Sequence, residues 1–198
     1  MNLDLMIREV QASLGCTADG KAGPQTWAAI HGRIVGTSRA VPAVGVDARS
    51  ATNIATLHPK VQDYARALIQ AAAQQGIAIK VISGTRSYDE QNALYAQGRT
   101  KPGVVVTNAR AGYSNHNFGI AFDVGVFDAK GSYVEESPLY KVVGSLGSGL
   151  GLTWGGNWKT VEDQPHFQLR PQWAAKMTES QMLAELRFRQ GVGKDVFA

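Results

Sequence analysis

Residues 112–125 read Gly-Tyr-Ser-Asn-His-Asn-Phe-Gly-Ile-Ala-Phe-Asp-Val-Gly, with His116 and Asp123 seven apart among small and apolar neighbours. Imidazole and carboxylate are side chains that bind a divalent cation or move a proton. Downstream, Glu162-Asp163-Gln164-Pro165-His166 supplies a second imidazole and two more carboxylates. A catalytic zinc ion takes three protein ligands from His, Asp, Glu or Cys and leaves a fourth position for water. Singly, each of these residues reads as an ordinary polar side chain; as a set, His116, Asp123 and His166 have the composition of such a centre. Cys16 is the only cysteine, so an intrachain disulfide and a Cys-rich zinc finger are both excluded. A cation held this way lowers the pKa of bound water toward ~7, and a neighbouring carboxylate can take the proton. Asp163 is the expected base and Glu162 its rival. On a regular strand a spacing of three points two side chains to opposite faces, so Asp163 and His166 can share a site only if the chain bends near Pro165.

Several elements must position these residues. From Ile120, the apolar Ile120, Phe122, Val124 and Val126 alternate with Ala121, Asp123 and Gly125, which predicts a strand with one core face and one face carrying Asp123. Ala121 and Gly125 are small, leaving room beside the carboxylate for a cation or substrate. The turn Asn117-Phe118-Gly119 would fold His116 back beside that strand. Upstream, Val61, Tyr64, Ala65, Leu68, Ile69 and Ala72 form one apolar stripe of a helix opened by Pro59 and ended at Gly76. Ile77 to Ile82 is a β-branched run and reads as a strand. Ser87-x-x-Glu90 has the form of a capping box that starts the next helix, as Thr178-x-x-Gln181 does for the last one. Residues 98–112 read as an extended segment near the site. Ser137-Pro138 opens a helix that Gly147, Gly149 and Gly151 should end. Leu152 to Trp154 and His166 to Leu169 are short strands. Trp154 either walls the cleft, with the loop through Trp158, or packs in the core. His31 and His58 are left as structural.

The motif Ser114-x-His116-x-x-Gly119-x-Ala121-x-Asp123, followed by Asp163-x-x-His166, resembles the zinc signature of the D-Ala-D-Ala carboxypeptidase and L-alanyl-D-glutamate endopeptidase family. Ser83-Gly84-Thr85-Arg86-Ser87-Tyr88-Asp89-Glu90-Gln91 and the residues through Thr100 resemble that family's Arg-Ser block, particularly in its phage-endolysin branch. Three separated motifs in the family's order, over roughly residues 53 to 170, are more specific than any one alone. The resemblance implies an α+β fold in which a small antiparallel sheet carries the zinc site and helices flank it. It implies Zn2+ as cofactor, peptidoglycan as partner, an acidic base at Asp163, and an arginine facing the scissile carbonyl at Arg86. Ser114 and Gln91 either orient ligands and substrate or act as local caps. The expected reaction is hydrolysis of the L-alanyl-D-glutamate bond of stem peptides in endolysin-type lysis. The alternatives are a D-Ala-D-Ala carboxypeptidase and a non-catalytic, zinc-stabilised wall-binding module.

At 198 residues, 44% hydrophobic and 18% charged, the chain has the composition of a folded protein with a core. The formal net charge of +4 suits an acidic partner surface. It comes without a dense basic run or a helix-turn-helix pattern, so no nucleic-acid partner is expected. No stretch approaches the ~18 apolar residues of a membrane span, and no stable membrane insertion is expected. The first residues place acids before any base and lack a long apolar region, unlike a secretory signal. The expectation is a monomer made in the cytoplasm that acts on the wall after membrane permeabilisation. Three segments are expected. Residues 1–35 form a helical hairpin with Asp4 as cap and Leu5, Met6, Val10 and Leu14 along one face; Val10-Gln11-x-x-Leu14-Gly15 and Asp19-Gly20-Lys21-x-Gly23-Pro24-x-Thr26 resemble part of a small peptidoglycan-binding module. Residues 36–52 form a linker, and residues 53–198 the catalytic domain.

Overall fold

A computed structural model describes residues 2–23, 26–27, 29–30 and 45–198. The chain divides into two compact units, residues 1–43 and 44–198. In the first, α1 (Leu3–Ser13) is capped by Asn2, whose side chain accepts from the Asp4 N–H at 3.0 Å, so Asn2 and not Asp4 is the cap. Asp4 instead pairs with Arg8 one turn on, at 2.9 Å. Leu5, Met6 and Val10 are exposed, contrary to the apolar face expected of them. The residue α1 buries is Gln11, whose amide nitrogen is within hydrogen-bond reach of Asp19 Oδ1, the Lys21 carbonyl and Thr26 Oγ1, while its oxygen accepts from the Gly20 N–H. Among the described residues, this polar hub is what α1 buries. Thr26, Trp27, Ala29 and Ile30 are helical, in keeping with the second helix; the rest of that helix, His31 and linker positions 36–44 lie outside the described residues.

The second unit is α+β. Its five-stranded antiparallel sheet runs β1 (Ala78–Ser83), β2 (Ala121–Phe127), β5 (His166–Gln168) and β4 (Thr153–Trp154), with β3 (Tyr133–Val134) pairing the far half of β2. One face is covered by α2 (Ala48–Ala55), α3 (Pro59–Gln74) and α5 (Leu139–Gly149); α4 (Tyr88–Ala96) and α6 (Glu179–Gly191) complete the unit. The period-two reading of β2 holds: Phe122, Val124 and Val126 enter a core with Val61, Ala65, Leu68 and Ala72 of α3. Phe122 lies opposite Phe167 of β5, with ring centroids 5.9 Å apart. Both capping boxes form as expected.

Two expectations are corrected here. Residues 48–52, read as linker, belong to α2, which begins on an Asp47 cap. The stretch lacks an apolar stripe because α2 buries one apolar side chain, Ile54, and otherwise meets the sheet through polar groups. Ser50 Oγ accepts from the Val81 N–H at 2.9 Å, and Asn53 Nδ2 donates to the Val81 carbonyl at 2.8 Å. These bonds occupy backbone groups that an edge strand otherwise leaves free. Secondly, Gly147 does not end α5, which runs to Gly149. A Cβ on Gly147 would stand 2.4 Å from the Phe167 ring, and one on Gly144 2.3 Å from that of Trp154, so both glycines serve close packing.

Candidate metal and catalytic site

Register assembles the site. Asp123 on β2 lies directly opposite His166 on β5, and facing residues of an antiparallel pair project from the same side. On the other flank a bulge between Val81 and Ser83 sets Ser83 against Asp123. His116 arrives from outside the sheet on a 3-10 turn, Asn115–Phe118, closed by Gly119 at φ 67°, a left-handed conformation that glycine adopts without strain. The turn is clamped: the Arg86 N–H donates to the His116 carbonyl at 3.0 Å, and Asn117 Nδ2 donates to the Arg86 carbonyl at 2.9 Å.

His116 Nε2 and His166 Nδ1 lie 3.2 and 3.3 Å from the same Asp123 oxygen, and the three donor atoms fall within 4.8 Å of one another. Two atoms each about 2.0–2.1 Å from a tetrahedral ion stand about 3.3 Å apart, the separation both histidines keep from Asp123. The outer ring nitrogens sharpen the fit. His116 Nδ1 lies 2.8 Å from the Gly84 carbonyl, which can only accept, so Nδ1 carries hydrogen and Nε2 presents a lone pair inward. His166 Nε2 lies 3.0 Å from Gln168 Oε1, with the same consequence for its Nδ1. Lone pairs converging on a carboxylate repel unless a cation or protons lie between them. His116, Asp123 and His166 therefore suit a divalent metal.

The electrostatics agree. Burial alone would raise the Asp123 carboxyl, but the charge and hydrogen bonds of His116 and His166 outweigh it and hold the group well below the usual carboxylate range. Burial would lower the His166 pKa, yet its bond to Asp123 and that carboxylate's charge raise it. Asp163 is pushed up, first by burial and then by the charge of Asp123. The expected bend is present: the His166 N–H closes a turn onto the Asp163 carbonyl at 3.2 Å, and Asp163 lines the cleft beside His116, Asp123 and His166. Glu162 is not among the lining residues of that cleft and binds Gln164 at 2.6 Å. Arg86 reaches the cleft, but one terminal nitrogen is engaged by Asp123 Oδ2 at 2.6 Å and Ser83 Oγ at 2.9 Å. It steadies the carboxylate as well as facing the cavity.

The cleft, of about 1000 Å³, is also lined by Ser114, Tyr113, Asn115, Trp158, Lys159 and Glu179. Two substrate-side expectations fail. Gln91 is fully buried, with its amide on the Ala109 carbonyl at 2.8 Å, so it holds the 98–112 segment and does not line the cleft. Trp154 is a core residue whose indole donates to the Gln164 carbonyl at 2.8 Å; Trp158, with its ring 4.9 Å from that of His166, takes the wall position. The room foreseen beside Asp123 at Gly125 is occupied by the Tyr133 ring, 2.8 Å from where a Cβ would be. Gln168 was legible but missed, because two residues after His166 on a strand is the same face.

Over residues 54–164 the chain matches the VanY family, described as D-alanyl-D-alanine carboxypeptidase. It is 42% identical over 125 residues to the peptidoglycan L-alanyl-D-glutamate endopeptidase CwlK of Bacillus subtilis strain 168, covering 58% of this chain and 74% of that protein. Among solved structures, the L-Ala D-Glu endopeptidase ChiX of Serratia marcescens is 26% identical, with 67% of this chain and 94% of that chain covered at a TM-score of 0.49. The D,D-pentapeptidase VanY of a VanB-type resistance cassette, solved with Zn(II), is 18% identical, with 66% and 83% covered at a TM-score of 0.45. The family match spans more than half of the chain, and it encloses the Arg86 block, His116, Asp123 and Asp163: the chain belongs to the VanY family of peptidases.

Proposed function

We propose that this chain is a zinc-dependent peptidoglycan peptidase that hydrolyses the L-alanyl-D-glutamate bond of stem peptides. The observation that carries the reading is the convergence of two imidazole nitrogens and a carboxylate oxygen beside Asp163 in one open cleft. The choice of bond rests on the 42% identical endopeptidase. A further hollow, lined by Glu135, Glu136, Ser137 and Lys141, shares Tyr133, Asp163 and Pro165 with the cleft. A groove continuing past the site suits a substrate chain that extends on both sides of the scissile bond.

When bound, the cation supplies a Lewis acid that polarises the scissile carbonyl and acidifies water. Asp163 accepts the water proton and returns it to the departing amine. Burial and the charge of Asp123 raise its pKa, the direction that makes a carboxylate a better proton acceptor. Arg86 keeps Asp123 in place and offers its remaining N–H groups to the oxyanion that develops on the carbonyl. Trp158 packs against His166, its ring tilted by 46°, and closes one wall. Ser114, at the mouth of the His116 turn, is assigned to substrate contact.

Mass spectrometry of fragments released from purified peptidoglycan tests the proposal. Peptides beginning with D-glutamate are the expected product. Release of D-alanine alone would establish the carboxypeptidase reading, which the family's description favours. Retention of zinc without any release would leave the wall-binding module. Residues 1–35 are proposed to aid wall attachment. A chain shortened to residues 44–198 should cleave soluble stem peptide at the full rate and sediment less with intact wall. An endolysin-type role predicts falling turbidity in cultures making the protein once their inner membrane is breached, and no fall with Asp163→Asn.

A further inference from the structure

One carboxylate outside the metal set determines the polarity of a hydrogen-bond chain that ends on a metal ligand. Asn115 Nδ2 lies 2.5 Å from Glu179 Oε1 and 2.6 Å from Gln168 Oε1, and Gln168 Oε1 lies 3.0 Å from His166 Nε2. Arg170 Nη1 donates to the other Glu179 oxygen at 2.9 Å, so both carboxylate oxygens act as acceptors. An ionised carboxylate only accepts, so the Asn115 atom facing it is the amide nitrogen. The same nitrogen faces Gln168, which must turn its oxygen toward it. That oxygen also faces His166 Nε2, which must then carry the hydrogen. Each step leaves a single orientation, and the last one frees Nδ1 to bind metal.

The chain is not incidental packing. Asn115 and Gln168 are both buried, and Asn115 keeps its Nδ2 on two acceptors although its own oxygen has no partner among the described residues. A buried acceptor left unpaired is destabilising, so this arrangement is held at the expense of local stability.

We propose that Glu179, acting through Asn115 and Gln168, is a positioning residue that fixes the His166 tautomer with hydrogen on Nε2. The proposal rests on the reading of His116, Asp123 and His166 as metal ligands, and its test separates the two. In 15N-histidine-labelled, metal-free protein at alkaline pH, with Asp123→Ala as the background for both spectra because the Asp123 oxygen 3.3 Å from Nδ1 would itself hold hydrogen there, His166 should show the Nε2–H tautomer. Asn115→Asp replaces the donor by an acceptor, turns the Gln168 amide around and presents an N–H to Nε2. The spectrum should then shift to the Nδ1–H form. Chelator competition should show Zn2+ affinity reduced about 10–100-fold in Asn115→Asp and in Gln168→Met, a usual cost of losing a ligand's outer partner. Gln168→Glu, which keeps an acceptor, should restore it. Glu179→Ala, at an exposed helix start, should weaken binding less and give mixed tautomers without disturbing the core. An Nδ1–H tautomer in the Asp123→Ala background, or an Asn115→Asp substitution that leaves both tautomer and affinity unchanged, overturns the relay. If the wild type binds zinc no better than His166→Ala, the ligand reading falls, and the tautomer spectrum alone decides the relay.

Discussion

Phe122 and Asp123 are neighbours on β2, yet they face different problems. Phe122 points into the helices, where Phe167 stacks on it and its surroundings are hydrocarbon. Asp123 points the other way, where each carboxylate oxygen is engaged and every partner has a required direction. The core face asks for volume: side chains of similar size and apolar character substitute for one another at modest cost. The site face asks for orientation, and even an isosteric change from carboxylate to amide alters which atoms donate. The strand period of two keeps these demands apart, so one short element supplies both stability and chemistry.

The largest expected effect is on the site face. Asp123→Ala should reduce bound zinc from one per chain toward zero and remove hydrolysis with it, measured by metal analysis of the folded fraction. Full metal in this variant would dissolve the contrast at its centre. Asp163→Asn should keep the metal and reduce kcat about 10²–10⁴-fold, the usual worth of a positioned base; if Glu162→Gln does this instead, the two acids exchange roles. On the core face, Phe122→Ala should cost about 3–5 kcal/mol in denaturant unfolding, with the folded molecules still binding one zinc each. Loss of zinc from molecules that remain folded would show that the faces are not separable.

The smallest effect lies behind the His116 turn. The His58 N–H donates to the Gly119 carbonyl at 3.0 Å, while the His58 ring meets Asp195 at 3.0 Å and packs on Phe197. Asp195 is held below the usual carboxylate range, chiefly by its bond to His58. A depressed carboxyl contributes stability that is present above its unfolded pKa and is lost as pH falls through the folded one. Asp195→Asn should therefore lower Tm by no more than about 3 °C near neutral pH, in keeping with an exposed pair, and the difference should close in acid. A constant difference at all pH values would mean that charge is not its source.

Much of this was legible in the residues. Alternation along β2, the stripe on α3 and both capping boxes are local patterns, and the structure follows them. The histidine and aspartate spacing led to the metal set because a turn and a strand were both readable there. Other features depend on partners remote in sequence. Nothing local separates Trp154 from Trp158; the difference is that Gly144 and Gly156 make room for the first ring in the core. Gln91 looks like any exposed polar residue of a helix until the 98–112 segment folds over it. Helix α2 escaped notice because it buries a single apolar side chain, Ile54, and bonds to the sheet through Ser50 and Asn53, which carry no apolar periodicity. The bulge at Ser83 is invisible in sequence, since both strands read as regular.

The placement of β2 also constrains the order of events during folding. Its partners Ser83 and His166 lie 40 residues before and 43 residues after Asp123 along the chain. Loops of that length lose entropy before any contact compensates for it, so both ladders form late. A slip of one residue in either ladder would turn Asp123 toward hydrocarbon, so the ligands converge only in the correct register. Unlike a small zinc domain, whose ion drives the chain to fold, this chain offers a cation no complete set of donors until the sheet is in place. Dissolved metal should therefore leave the refolding rate nearly unchanged and slow the unfolding rate, because it binds a structure that the transition state has not yet completed.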